Sequence, residues 1–120
     1  FKRTDGTIYR PGADLPIDLF NKAFDKTFTK VRAKTLFLFT DFQAQMLINY
    51  IVDAVTGKTL EIYFSLYYYS GLETNPIFSI TPQELEYFEK NLKEFVVWDI
   101  HRSFEDAPYC IMSHSVGIKK

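Results

Sequence analysis

The sequence predicts an α+β fold, with helices on one face of a mostly antiparallel sheet, and three observations carry that prediction. The first is Lys58 to Ser70, KTLEIYFSLYYYS, which has period two. Leu60, Ile62, Phe64, Leu66 and Tyr68 fall on one side of an extended chain, and Glu61, Tyr63, Ser65, Tyr67 and Tyr69 on the other. The second is Thr81-Pro82-Gln83-Glu84, in which Thr81 can cap, Pro82 needs no amide partner and Glu84 completes a T-x-x-E box, so a helix starts there. The third is the order of all the elements: helix, strand, helix, strand, short strand, helix, strand, strand. It contains β-α-β-β-α-β, the ferredoxin-like pattern, with an extra N-terminal helix and C-terminal strand. A strongly curved, cone-like sheet wrapped by helices is the alternative arrangement of the same elements.

Taken in order, residues 1–14 read as a polar arm with turn signals at Asp5-Gly6 and Pro11-Gly12. From Pro16 the spacing of Ile17, Phe20, Phe24 and Phe28 predicts a helix to about Thr27, with Asp14 and Asp18 near its positive end. Val31 to Thr40 holds the apolar run Leu36–Phe39 and predicts a strand covered on both faces. Thr40 and Gln43 form a T-x-x-Q box and Gly57 suits a left-handed stop, so residues 41–56 are expected to be a helix. Its stripe would be Met46, Leu47, Tyr50, Ile51, Ala54 and Val55. After the strand at 58–70, Ile77–Ile80 is expected as a short strand. Leu85, Phe88, Leu92 and Phe95 then give the helix after Thr81 an apolar face, expected to pack on Leu60, Ile62, Phe64 and Leu66. Val96–Phe104 and Tyr109–Val116 read as a final hairpin around Glu105-Asp106-Ala107-Pro108.

At 120 residues and 14.1 kDa the chain suits one domain over 1–120 with a core that needs neither disulfide nor metal. It starts at Phe1 rather than Met, which suggests a trimmed fragment of a longer chain. With 5 Gly and 5 Pro, loops should be short; with 12 Phe, 8 Tyr and 1 Trp, there is more ring surface than a small core readily hides. The formal charge of -1 makes nucleic acid an improbable partner, because broad counterion release needs a basic footprint. No apolar run is long enough to span a membrane as a helix. The single Cys110 excludes an internal disulfide and points to the cytoplasm, with an extracytoplasmic domain of a trimmed protein as the alternative.

Three surfaces are candidates for function. Tyr63, Tyr67 and Tyr69 lie on alternate positions, and rings with hydroxyl tips can form a protein contact, hold a small-molecule ligand or stack bases. The RNA-recognition run K/R-G-F/Y-G/A-F-V-x-F/Y is absent and only Lys58 flanks the segment, so a protein partner or a homo-oligomer is the better fit. The final hairpin, with a four-residue loop, would set Asp99 opposite His114 and His101 opposite Met112, with Cys110 on the same face. An acid, two imidazoles and a thiol together could serve a small enzyme or ligand binder, but no HExxH, CxxC or Ser-His-Asp order supports it, and neither metal nor cofactor is expected. Thr56-Gly57-Lys58-Thr59 ends like a phosphate loop, yet Val52 stands where that motif needs its first Gly. Lys26, Lys30, Arg32 and Lys34 form the densest basic run and read as a solvated face. The function expected is a non-catalytic protein-binding or assembly module, associating through the tyrosine face.

Overall fold

The computed structural model describes residues 15–37, 44–68, 76–99 and 108–116. They form helix α1 (Ile17–Thr27), helix α2 (Lys30–Phe37), strands β1 (Ala44–Asp53) and β2 (Thr59–Tyr68), a 3-10 turn at Pro76–Ser79, helix α3 (Pro82–Phe95) and strand β3 (Tyr109–Val116). The sheet is antiparallel throughout, in the order β2-β1-β3. One face of it is closed by the helices. This is the α+β class read from the sequence, with α1, β2 and α3 where periodicity and capping put them and β3 where its β-favouring composition did.

Within that class two segments exchange their expected states. Residues 31–37 of the segment expected as a strand belong instead to α2, in which Ala33, Leu36 and Phe37 are buried at helical spacing. The Thr29 hydroxyl accepts from the Arg32 amide at 3.1 Å and so opens this helix. Residues 41–56, expected as a helix, contain β1: Met46, Ile48, Tyr50 and Val52 are fully buried while Leu47, Asn49 and Ile51 are half-buried, which is alternation and not a stripe. The β-α-β-β-α-β order is therefore not traced among the described residues; its first strand is a helix and its first helix a strand. Ile77–Ile80 is no strand either, since Pro76–Ser79 coil into a 3-10 turn closed by the Ser79 hydroxyl donating to the Pro76 carbonyl.

Gly57 does sit in the left-handed region, at φ 76°, but it closes a hairpin turn and not a helix. Asp53 starts that turn, its Oδ1 accepting from the amides of Val55 and Thr56 at 2.8 and 2.9 Å. The phosphate-loop resemblance of Thr56–Thr59 dissolves into this turn. Just beyond it the register slips: Ile51 faces Glu61 and Val52 faces Thr59, leaving Leu60 as the extra residue. Leu60 accordingly turns outward and is 37% exposed, while Thr59 turns in and donates its hydroxyl to the Val96 carbonyl at 2.7 Å.

The core lies between the closed sheet face and the helices. Phe88 of α3 stacks on Phe64 of β2 at 5.5 Å, which is the helix-on-strand contact expected from the sequence. Around Phe88 stand Phe20 and Phe24 of α1 and the Phe28 that follows it. Arg32 of α2 donates twice to the Glu84 carboxylate at 2.7 Å and once to the Ser79 carbonyl, tying α2 to the start of α3. No helix of the described residues is long and apolar enough to cross a membrane.

Candidate functional site

Antiparallel pairing places directly opposed residues on one face of a sheet. The rows of the uncovered face follow from the register: Ser65, Leu47 and Ser115; Tyr63, Asn49 and Ser113; Glu61, Ile51 and Ile111; then Asp53 and Tyr109. Tyr67 with Gln45 closes the other end. Tyr63 and Tyr67 are 55% and 57% exposed, and Tyr109 and Ile111 are both 48% exposed. Two of the three predicted site tyrosines thus stand on this face; Tyr69 lies outside the described residues.

The polar groups here are largely paired with one another. Asn49 accepts from the Ser113 hydroxyl at 2.8 Å and donates to the Tyr63 carbonyl at 3.4 Å. The Tyr63 hydroxyl donates to Glu61 at 2.7 Å, and that bond raises the phenol's pKa above its ordinary value. Asp53 is held below the usual carboxylate range by the Thr56 and Val55 amides. The Tyr67 hydroxyl makes no hydrogen bond among the described residues. No described strand residue on this face is basic, so it is an apolar and aromatic plane with two acids toward the hairpin-turn end.

Of the expected Asp99/His101/Cys110/His114 patch, the structure describes Asp99, Cys110 and His114. β3 pairs with β1, which sets His114 opposite Ile48, Met112 opposite Tyr50 and Cys110 opposite Val52. Val97 makes one isolated bridge to Lys58, Asp99 is exposed, and His101 lies outside the described residues. Cys110 and His114 do share a face, but it is the one turned to the core. Burial, and secondarily the nearby Asp53 charge, push the Cys110 thiol up, away from the thiolate that a nucleophile or metal ligand needs. Among the described residues no three His, Cys, Asp or Glu side chains are grouped to hold a metal ion.

His114 instead meets Tyr50. Its Nδ1 lies 3.2 Å from the Ser115 carbonyl, which can only accept, so Nδ1 carries the proton and Nε2 accepts from the Tyr50 hydroxyl at 2.7 Å. Burial lowers the imidazole's pKa and raises the fully buried Tyr50 phenol's, so both are neutral. Phe20 stands edge-on to His114 at 4.8 Å and Trp98 edge-on to Tyr50 at 5.2 Å. The Trp98 indole N–H and Asn91 Oδ1 are buried without a partner among the described residues.

Sequence reading missed Leu47, Ile51, Tyr109 and Ile111 as members of the open face, and the Tyr50–His114 bond, for one reason: with residues 44–53 taken as a helix, nothing could align them. The alternation of Leu47, Asn49 and Ile51 with Met46, Ile48, Tyr50 and Val52 shows in their burial, whereas in the sequence Leu47 and Ile51 are as apolar as their neighbours.

No protein-family model matches the chain, and no curated protein matches it. Among solved structures it is similar to a DUF5043 family protein from Bacteroides uniformis ATCC 8492, with a TM-score of 0.65 at 15% identity. The likeness covers 95% of this chain and 62% of that one, so the chain spans less than two thirds of its neighbour's length. At that identity what the two share is the fold, a compact α+β domain.

Proposed function

We propose that this chain is a non-catalytic protein-binding or assembly module that associates through the open face of its sheet. One observation carries the reading: the face opposite the helices presents Tyr63, Tyr67, Tyr109 and Ile111, each about half exposed, on one continuous plane. Scattered exposed rings need no explanation, but rings and aliphatic side chains in adjacent rows of one sheet form a patch of the kind that partners cover. Tyrosine suits it, because it offers large contact area at the loss of few rotatable bonds and is enriched among residues that dominate binding energy. Nucleic acid is the weaker partner. The strand residues here supply rings for stacking but no cations for phosphates, and the only described charges among them are acidic.

Site-specific photo-crosslinking tests this. A benzophenone amino acid at position 67 should trap protein in the cells that produce the chain, whereas the same group at Tyr87, exposed on α3, should not. Adducts of nucleic acid at position 67, or no adducts at either position, would overturn the proposal.

A further inference from the structure

Resting on that reading, we infer that the occupant of the open face is a second copy of this chain, stacked face to face across a two-fold axis that runs across the strands between the Tyr63 and Ser65 rows. Charge and hydrogen bonding select this partner. The acids of the face, Asp53 and Glu61, stand toward one end, and the Tyr67 hydroxyl, without a partner among the described residues, stands at the other. An axis along the strands would keep the acid end of each copy over the acid end of the other. An axis across them keeps β2 over β2 and reverses its direction, so Tyr67 of each copy lies over Glu61 of the other, an unpaired donor against a carboxylate. The same operation sets Leu47 over Asn49 and Ser65 over Tyr63. Asn49 is already bonded to Ser113 and to the Tyr63 carbonyl, so covering it strands neither its donor nor its acceptor. A strongly basic partner would meet only two carboxylates, both toward one end of the face, and an acidic one would meet no cation on the described strands. A plane with its acceptors at one end and an unpaired donor at the other is self-complementary and fits its own copy.

The area sets the strength. Three strands about 4.8 Å apart and roughly eight residues long at about 3.3 Å per residue give a plane of about 400 Å² per copy. Two such planes with their side-chain relief bury on the order of 1,000 Å², the low end for specific association, so the dimer is weak and concentration-dependent.

Sedimentation of the purified chain from 10 μM to 1 mM reads this out. A monomer–dimer equilibrium is expected, with half-dimerisation at roughly tens to hundreds of micromolar. Ile111→Lys should abolish it, and Tyr67→Phe, which leaves the ring and the fold, should weaken it about three- to tenfold. Sheets stack about 10 Å apart, so a short bis-maleimide should join a Tyr67→Cys copy to a Glu61→Cys copy when the two are mixed, and should join neither variant to itself. The buried Cys110 stays out of that reaction. A chain that is monomeric at 1 mM yet traps a different protein at position 67 overturns the second copy and leaves the protein-binding reading standing. A dimer indifferent to Ile111→Lys overturns both.

Discussion

Gly57 is placed under two demands at once. Its φ of 76° lies where side chains other than glycine's are strained, and a Cβ there would stand 1.8 Å from the Trp98 carbonyl oxygen. The backbone on both sides is committed: the Gly57 amide donates to Asp53 and its carbonyl accepts from the Trp98 amide at 2.8 Å. Gly57→Ala must therefore move the segment after α3 off the hairpin, and should cost at least about 2 kcal/mol in a denaturant melt. A near-neutral result would mean that the Trp98 segment is not held there. At Tyr50 the determining interaction is one hydrogen bond. Tyr50→Phe leaves the ring contacts with Trp98 and His114 but strips the imidazole of its donor, and should cost about 1 to 2 kcal/mol. His114 itself has its folded pKa lowered, so its sign is that of a group which resists charging in the fold. The associated stability is complete above the ordinary histidine range and is lost as the pH falls through it. By NMR the His114 ring should titrate below 6.5 in the folded protein and move back up in denaturant; a folded value above 6.5 would contradict the buried, neutral pair.

At the scale of elements, what could be read depended on whether a segment's own residues settled its state. α3 was legible because Thr81 and Glu84 cap reciprocally, at 3.1 and 2.9 Å, whatever lies beyond them. β2 was legible because its two faces differ in chemistry. β1 was not, because Met46, Leu47, Ile48, Tyr50, Ile51 and Val52 satisfy a helical stripe and an alternating pattern equally, and pairing with β2 and β3 decides between them. α2 was misread because the run Leu36–Phe39 outweighed the three-and-four spacing of Ala33, Leu36 and Phe37. For the site, the tyrosine face was visible within β2 alone, whereas its continuation onto β1 and β3 required the register. One element-scale contact can be titrated. Arg32 holds Glu84 at about 2, chiefly through its two hydrogen bonds. A depressed carboxylate stabilises fully above its unfolded value near 4.5 and loses that stabilisation as the pH falls toward 2. Because the pair is partly exposed, solvent screening reduces its contribution to about 1 to 2 kcal/mol. Glu84→Gln, which can still accept from the Thr81 amide, should melt lower than wild type at pH 7 and converge with it near pH 2 to 3; parallel curves would remove the ion pair from the account.

At the scale of the molecule, the sheet divides the chain's aromatic residues into two populations with different tasks. Tyr63, Tyr67 and Tyr109 stand outside, each with a hydroxyl tip that tolerates water; Phe20, Phe24, Phe28, Phe37, Phe64 and Phe88 are gathered on the helical side, where Tyr50 is the buried ring whose hydroxyl is satisfied, by His114. Phe88 joins the inner population together. Its ring lies 6.3 Å from Phe20, 6.0 Å from Phe24, 5.1 Å from Phe28 and 5.5 Å from Phe64, so one side chain links α1, the turn after it, α3 and β2. Truncating it removes fully buried apolar area and leaves a cavity walled by four rings from three elements, which cannot collapse without moving a helix. Phe88→Ala should accordingly cost about 3 to 5 kcal/mol and lower the melting temperature by roughly 10 to 20 °C. Tyr67→Ala, removing a ring of similar size from the open face, should change the melt of the dilute monomer by less than about 1 kcal/mol. The contrast is the test: if both truncations destabilised the dilute chain equally, the outer rings would be core, and the division of the sheet into a closed face and an open one would fail with them.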